Sequence, residues 1–69
     1  MRIIDLHGFR YDEAKQELEL FINDNWGNRL MVITGNSEGM KNLVCEVIRE
    51  YSLEFFRDTL EGFIIIREH

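Results

Sequence analysis

Asp5 and His7, two residues apart near the start of the chain, are the groups best suited to acid–base chemistry. In an extended segment, residues at this spacing share a face. The Asp5 carboxylate can then orient the His7 imidazole and leave the second ring nitrogen free to exchange a proton. By itself the pair is a weak signal. A carboxylate at a strand end also serves structurally, by accepting backbone N–H groups or capping a helix, and a histidine there also serves as a turn residue. The segment Thr34-Gly35-Asn36-Ser37-Glu38-Gly39 adds to it, because a glycine-bearing loop that opens a helix can present backbone amides to a phosphate. It lacks the Lys-Ser/Thr pair of a Walker loop, and on its own it reads equally as an ordinary strand-to-helix turn. Lys41 lies just beyond the loop and Arg10 just beyond the first turn, so with His7 they would make a locally positive cleft. Glu38 opposes this, since it competes with a phosphate for the same helix end.

Positioning these groups is the work of six elements. Arg2–Leu6 reads as a short strand that stops at His7-Gly8. From Tyr11 to about Asn25 the pattern is helical, with Ala14, Leu18, Phe21 and Ile22 on one face and Asp12 and Glu13 at the positive end of the helix dipole. Arg10 is a poor N-cap for it, which leaves its start open by a residue or two. Leu30–Ile33 is an apolar run short enough for a buried strand. A second helix follows the loop, with Ser37 as its cap and Leu43, Val44, Val47, Ile48 and Tyr51 on its buried face. Residues 54–57 and 63–67 read as two strands joined by a turn around Asp58 to Gly62.

The order β-α-β-α-β-β, with right-handed crossovers, predicts an α+β two-layer sandwich whose helices lie on one face. Because Phe63-Ile64-Ile65-Ile66 has no polar alternation, the last strand is expected inside the sheet. The predicted sheet is mixed and four-stranded, with order 1-2-4-3. The Asp5–His7 segment and the Thr34–Gly39 loop then meet at the carboxyl ends of two neighbouring parallel strands, where ligands of open sheets bind. The helix-free face would carry apolar side chains without cover, which points to a partner, first of all a homodimer. Partial cover by Trp26, Tyr11 or the hairpin is the alternative.

Composition bounds the rest. The 69 residues allow one domain and one modest core. With 45% hydrophobic and 30% charged residues spread along the chain, no segment approaches the roughly 20 apolar residues of a membrane span. No signal peptide precedes Asp5, so a cytoplasmic protein with no membrane partner is expected. The one cysteine, Cys45, excludes an internal disulfide and a multi-thiolate zinc site, and its apolar neighbours mark it as a core residue. A net charge of −5 counts against nonspecific nucleic-acid binding unless basic groups gather on one surface.

With Ile4-Asp5-Leu6-His7-Gly8, Glu13-Ala14 and Val32-Ile33-Thr34-Gly35 in that order, the sequence resembles the Smr (small MutS-related) domain family over nearly its whole length. The family's Leu-Asp-x-His motif stands here as Ile4-Asp5-Leu6-His7. Its His/Thr-Gly-x-Gly motif stands as Thr34-Gly35-Asn36-Ser37, with serine in place of the second glycine. The resemblance implies a fold similar to the C-terminal domain of translation initiation factor 3, here as a stand-alone domain over residues 1–69. It also implies a nucleic-acid-acting domain, with DNA-nicking or RNA-cleaving endonuclease activity in many members. Carried over by residue, Asp5 and His7 are the catalytic candidates and Thr34 and Gly35 shape the loop. The phosphate-binding set is then Arg10, Thr34, Gly35, Asn36, Ser37, Gly39 and Lys41. Asp5 either orients His7 or holds one Mg or Mn ion. A two-metal mechanism is not expected, since it needs several carboxylates and the cleft offers Asp5 and Glu38. The alternative is a catalytically silent module of the same fold that binds nucleic acid or protein.

Overall fold

The two apolar runs with no charge inside them, Leu30–Ile33 and Phe63–Ile66, form the central strands of the sheet, and strands that carry charged residues flank them. The computed structural model describes residues 1–57 and 62–67. Its elements are β1 (Arg2–Asp5), α1 (Tyr11–Asp24), β2 (Leu30–Ile33), α2 (Glu38–Glu50), β3 (Phe55–Arg57) and β4 (Phe63–Ile66). The sheet order is β1-β2-β4-β3, with β1 and β2 parallel and β4 antiparallel to both its neighbours. The chain thus adopts the expected mixed sheet with two helices. The expected turn falls mostly on residues 58–61, outside the described residues.

Register sorts the side chains into two faces. Leu30, Val32, Ile64 and Ile66 point toward the helices and are fully buried with Ala14, Leu18, Ile22, Val44, Val47 and Ile48. On the opposite face Ile3, Met31, Ile65 and Phe56 lie in one row, and Asp5, Ile33 and Phe63 in the next. Ile3 is 58% exposed and Phe56 52%. Neither Trp26 nor Tyr11 supplies the cover considered for this face. Trp26 lies near Tyr51, with ring centroids 6.3 Å apart, and lines a small apolar hollow with Ile22, Leu30, Leu53 and Ile66 on the helix side. Tyr11 packs on the first turn of α2.

The helix ends follow from local chemistry. Ser37 caps α2, its Oγ accepting from the Met40 N–H at 3.1 Å. Arg10 begins α1 with no side-chain acceptor to offer, and Glu13 reaches back instead to accept from the Arg10 N–H at 3.3 Å. The buried face of α2 includes Met40, Lys41 and Cys45 besides Val44, Val47 and Ile48, while Leu43 and Tyr51 are only half-buried. No helix among the described residues is long and apolar enough to cross a membrane.

Candidate functional site at the sheet edge

Leu6 is fully buried, and its N–H donates to the Ile33 carbonyl at 2.8 Å, which extends the β1–β2 pairing one residue past the strand. Alternation about this anchor turns Asp5 and His7 outward together. Asp5 Oδ1 accepts from the His7 backbone N–H at 3.1 Å and lies 2.6 Å from His7 Nδ1. The side-chain bond to His7, followed by the backbone bond, holds the Asp5 carboxyl below the usual carboxylate range. An ionised Asp5 accepts a proton-bearing Nδ1, and in the neutral ring that leaves Nε2 as the basic nitrogen. Both side chains are exposed, so a substrate can reach them from solvent.

The loop after β2 closes on the same pair. Gly35 sits in the left-handed region at φ +69°, and a Cβ there would come 3.3 Å from the His7 Cβ, so the imidazole stem lies against the loop backbone. A residue that sequence reasoning placed only in a turn holds this loop. The Gly62 carbonyl accepts from the Thr34 N–H at 2.8 Å, the Gly35 N–H at 3.0 Å and the Thr34 hydroxyl at 3.1 Å. Gly62 itself has φ +72°, and a Cβ there would meet the Gly35 backbone at 3.1 Å. Glycine is therefore required on both sides of this contact. Its sequence signal was a glycine immediately before a strand that pairs antiparallel with β2.

The remaining expected phosphate-binding residues are placed differently from one another. Thr34 is buried and its hydroxyl is spent on Gly62 and Gly35, so it shapes the loop from inside. The Gly35 amide is likewise taken. Asn36 and Ser37 are exposed and Gly39 is half-buried, and among the described residues no group accepts from the N–H groups of Asn36, Glu38 or Gly39. Gly39 makes room for Tyr11, whose hydroxyl would lie 1.9 Å from a Cβ at that position and sits 3.4 Å from Ser37 Oγ. Lys41 is buried in α2 and offers no surface cation, while Arg10 is exposed beside Asp12 at 3.8 Å. The basic residues do not gather: Arg2, Arg29 and Arg67 stand at the opposite end of the sheet from His7. Arg57, which sequence reasoning passed over, ends β3 on the site's side and bonds Glu38 and Asn42 of α2.

A resident Mg or Mn ion needs several converging oxygen donors. Among the described residues no three His, Cys, Asp or Glu side chains converge, and Asp5 and His7 alone do not make a resident metal site.

A parallel strand pair that brings Asp5 and His7 against a glycine-bearing loop at the sheet edge, with two helices packed on the sheet, defines a two-layer α+β domain. The family model of the Smr domain matches residues 4–64, nearly the whole chain, and the chain belongs to that family. Membership places it among domains with nucleic-acid-related functions. No curated protein and no solved structure matches the chain significantly.

Proposed function

We propose that this Smr domain is an endonuclease that cleaves phosphodiester bonds of DNA or RNA with His7 as the proton-transferring group and Asp5 as its orienting partner. The 2.6 Å contact between His7 Nδ1 and Asp5 Oδ1, made against the Gly35 loop, is the observation that carries this reading. With Nδ1 occupied, Nε2 takes the proton of the attacking hydroxyl, which is water or an RNA 2′-hydroxyl. The new O–P bond forms, the bond to the leaving oxygen breaks, and that oxygen takes a proton from the imidazolium or from solvent. The open amides at the start of α2 face developing negative charge on the phosphoryl oxygens. Ser37 already occupies the Met40 amide, so fewer donors remain than a glycine at that position would leave.

Incubating the purified chain with labelled single-stranded, duplex and branched DNA and with RNA, each with and without Mg or Mn, tests the reading. Cleavage that is nearly abolished in His7→Ala and reduced to a lesser degree in Asp5→Asn is the expected result. Binding without cleavage in every condition would instead establish the silent binding module of the same fold.

A homodimer is the partner proposed for the helix-free face, since six of its seven register-matched residues are apolar (Ile3, Met31, Ile33, Phe56, Phe63 and Ile65). Sedimentation is expected to show a dimer that Ile65→Glu or Phe56→Glu converts to a folded monomer. A wild-type chain that sediments as a monomer at high concentration removes the proposal.

A further inference from the structure

The short edge strand β3 ends in a cation that the reaction above does not use. Antiparallel pairing sets Arg57 level with Ile64, and through it with Val32 and Ile4, one residue short of the row that holds Asp5. Arg57 therefore stands at the same end of the sheet as the Asp5–His7 pair but on the helix face, where Asp5 is on the other, with backbones three strands apart, roughly 14 Å at ordinary strand spacing. Alternation about the exposed Phe56 turns it toward α2. Its Nη2 lies 2.5 Å from Glu38 Oε2 and its Nη1 donates to Asn42 Oδ1 at 3.0 Å.

Two features of this cluster are not those of a purely structural ion pair. Arg57 Nε is buried and no group in the described residues accepts from it, and leaving a donor of a charged group without an acceptor is destabilising. The pair is also lopsided: the Arg57 side chain is 27% exposed and the Glu38 side chain 68%. The guanidinium is fixed in place while the carboxylate lies over it from the solvent side. A carboxylate and a phosphate offer a guanidinium the same kind of paired oxygens, so one can replace the other.

Resting on the endonuclease reading, we infer that Arg57 is a second contact for the nucleic-acid backbone and that Glu38 is the anion that occupies its seat until a phosphate displaces it. A single phosphate at His7 cannot also reach Arg57 across that span. The substrate class that engages both is thus a polynucleotide strand laid along the sheet edge, not a mononucleotide. Glu38 raises the threshold further, because any ligand must outcompete it.

The test uses the intact chain in a His7→Gln background, so that the strand is not cut, and measures binding of a labelled single-stranded RNA and the DNA of the same sequence over a salt series. Arg57→Gln is expected to weaken binding and to flatten the dependence of log K on log salt by about 0.7, the value of one lost phosphate contact on a single strand. Arg57→Lys, which keeps the charge, restores most of that slope. Glu38→Gln tightens binding about threefold or more and does nothing once Arg57 is glutamine. Glu17→Gln, the same charge change on the exposed face of α1, controls for the overall field. The inference is overturned if Glu38→Gln has the same effect in both Arg57 backgrounds, or if Arg57→Gln lowers only the melting temperature. If the parent chain cleaves nucleic acid but these variants bind alike, the inference alone fails. If the parent neither binds nor cleaves, the endonuclease reading fails with it.

Discussion

His7→Ala is expected to lower the single-turnover cleavage rate by about 10²–10⁴-fold, the usual contribution of a positioned general base or acid, while the chain keeps its fold. The fold is expected to survive because the His7 ring is exposed and its side-chain partner is Asp5, itself exposed; nothing in the core leans on it. Asp5→Asn should cost less than His7→Ala. Its amide can still accept from Nδ1, but an amide lacks the charge that favours imidazolium as the proton is taken up. Because the two act as one unit, the double variant should fall little below His7→Ala alone. Equal rates for wild type and His7→Ala, measured with the same preparation and substrate, would remove His7 from the chemistry.

Leu6→Ala carries the second large effect, and it acts through stability. Leu6 is fully buried between two outward-facing site residues, and truncating such a side chain costs about 2–5 kcal/mol. A chain of 69 residues has only about 3–10 kcal/mol of stability in total. The variant is therefore expected to be largely unfolded at moderate temperature, or to melt tens of degrees lower, as read by circular dichroism. Loss of cleavage should follow the loss of fold, and conditions that restore the fold should restore activity. A variant that melts within a few degrees of wild type would show that the Asp5–His7 segment is anchored by something other than this side chain.

Most of the sheet was legible because its patterns are unambiguous. Leu30–Ile33 read as a buried strand and Phe63–Ile66 as an interior one, and with right-handed crossovers these gave the order 1-2-4-3 that the sheet has. The Asp5–His7 pairing was legible for the same reason, since period-two geometry needs no tertiary knowledge. What sequence did not reveal depends on contacts between distant segments. Thr34 looked like a loop hydroxyl but turns inward, because the Gly62 carbonyl is the acceptor within reach. Lys41 looked like a surface cation in the first turn of α2, yet it is on the buried face, beside Met40. The placement of Arg57 at the same end of the sheet as His7 was not read from sequence because it runs through two antiparallel registers, although the predicted strand order already implied that β3 ends at that edge.

Nitrogen-15 spectra of the His7 ring, recorded with and without a bound oligonucleotide carrying an uncleavable linkage, test the central relation between structure and chemistry most directly. The expected free protein shows a proton on Nδ1 and a bare Nε2, a preference that weakens in Asp5→Asn and disappears in Asp5→Ala, and the oligonucleotide shifts Nε2 while Nδ1 keeps its proton. A ring protonated at Nε2, or one whose nitrogens ignore both Asp5 and the oligonucleotide, would contradict the account.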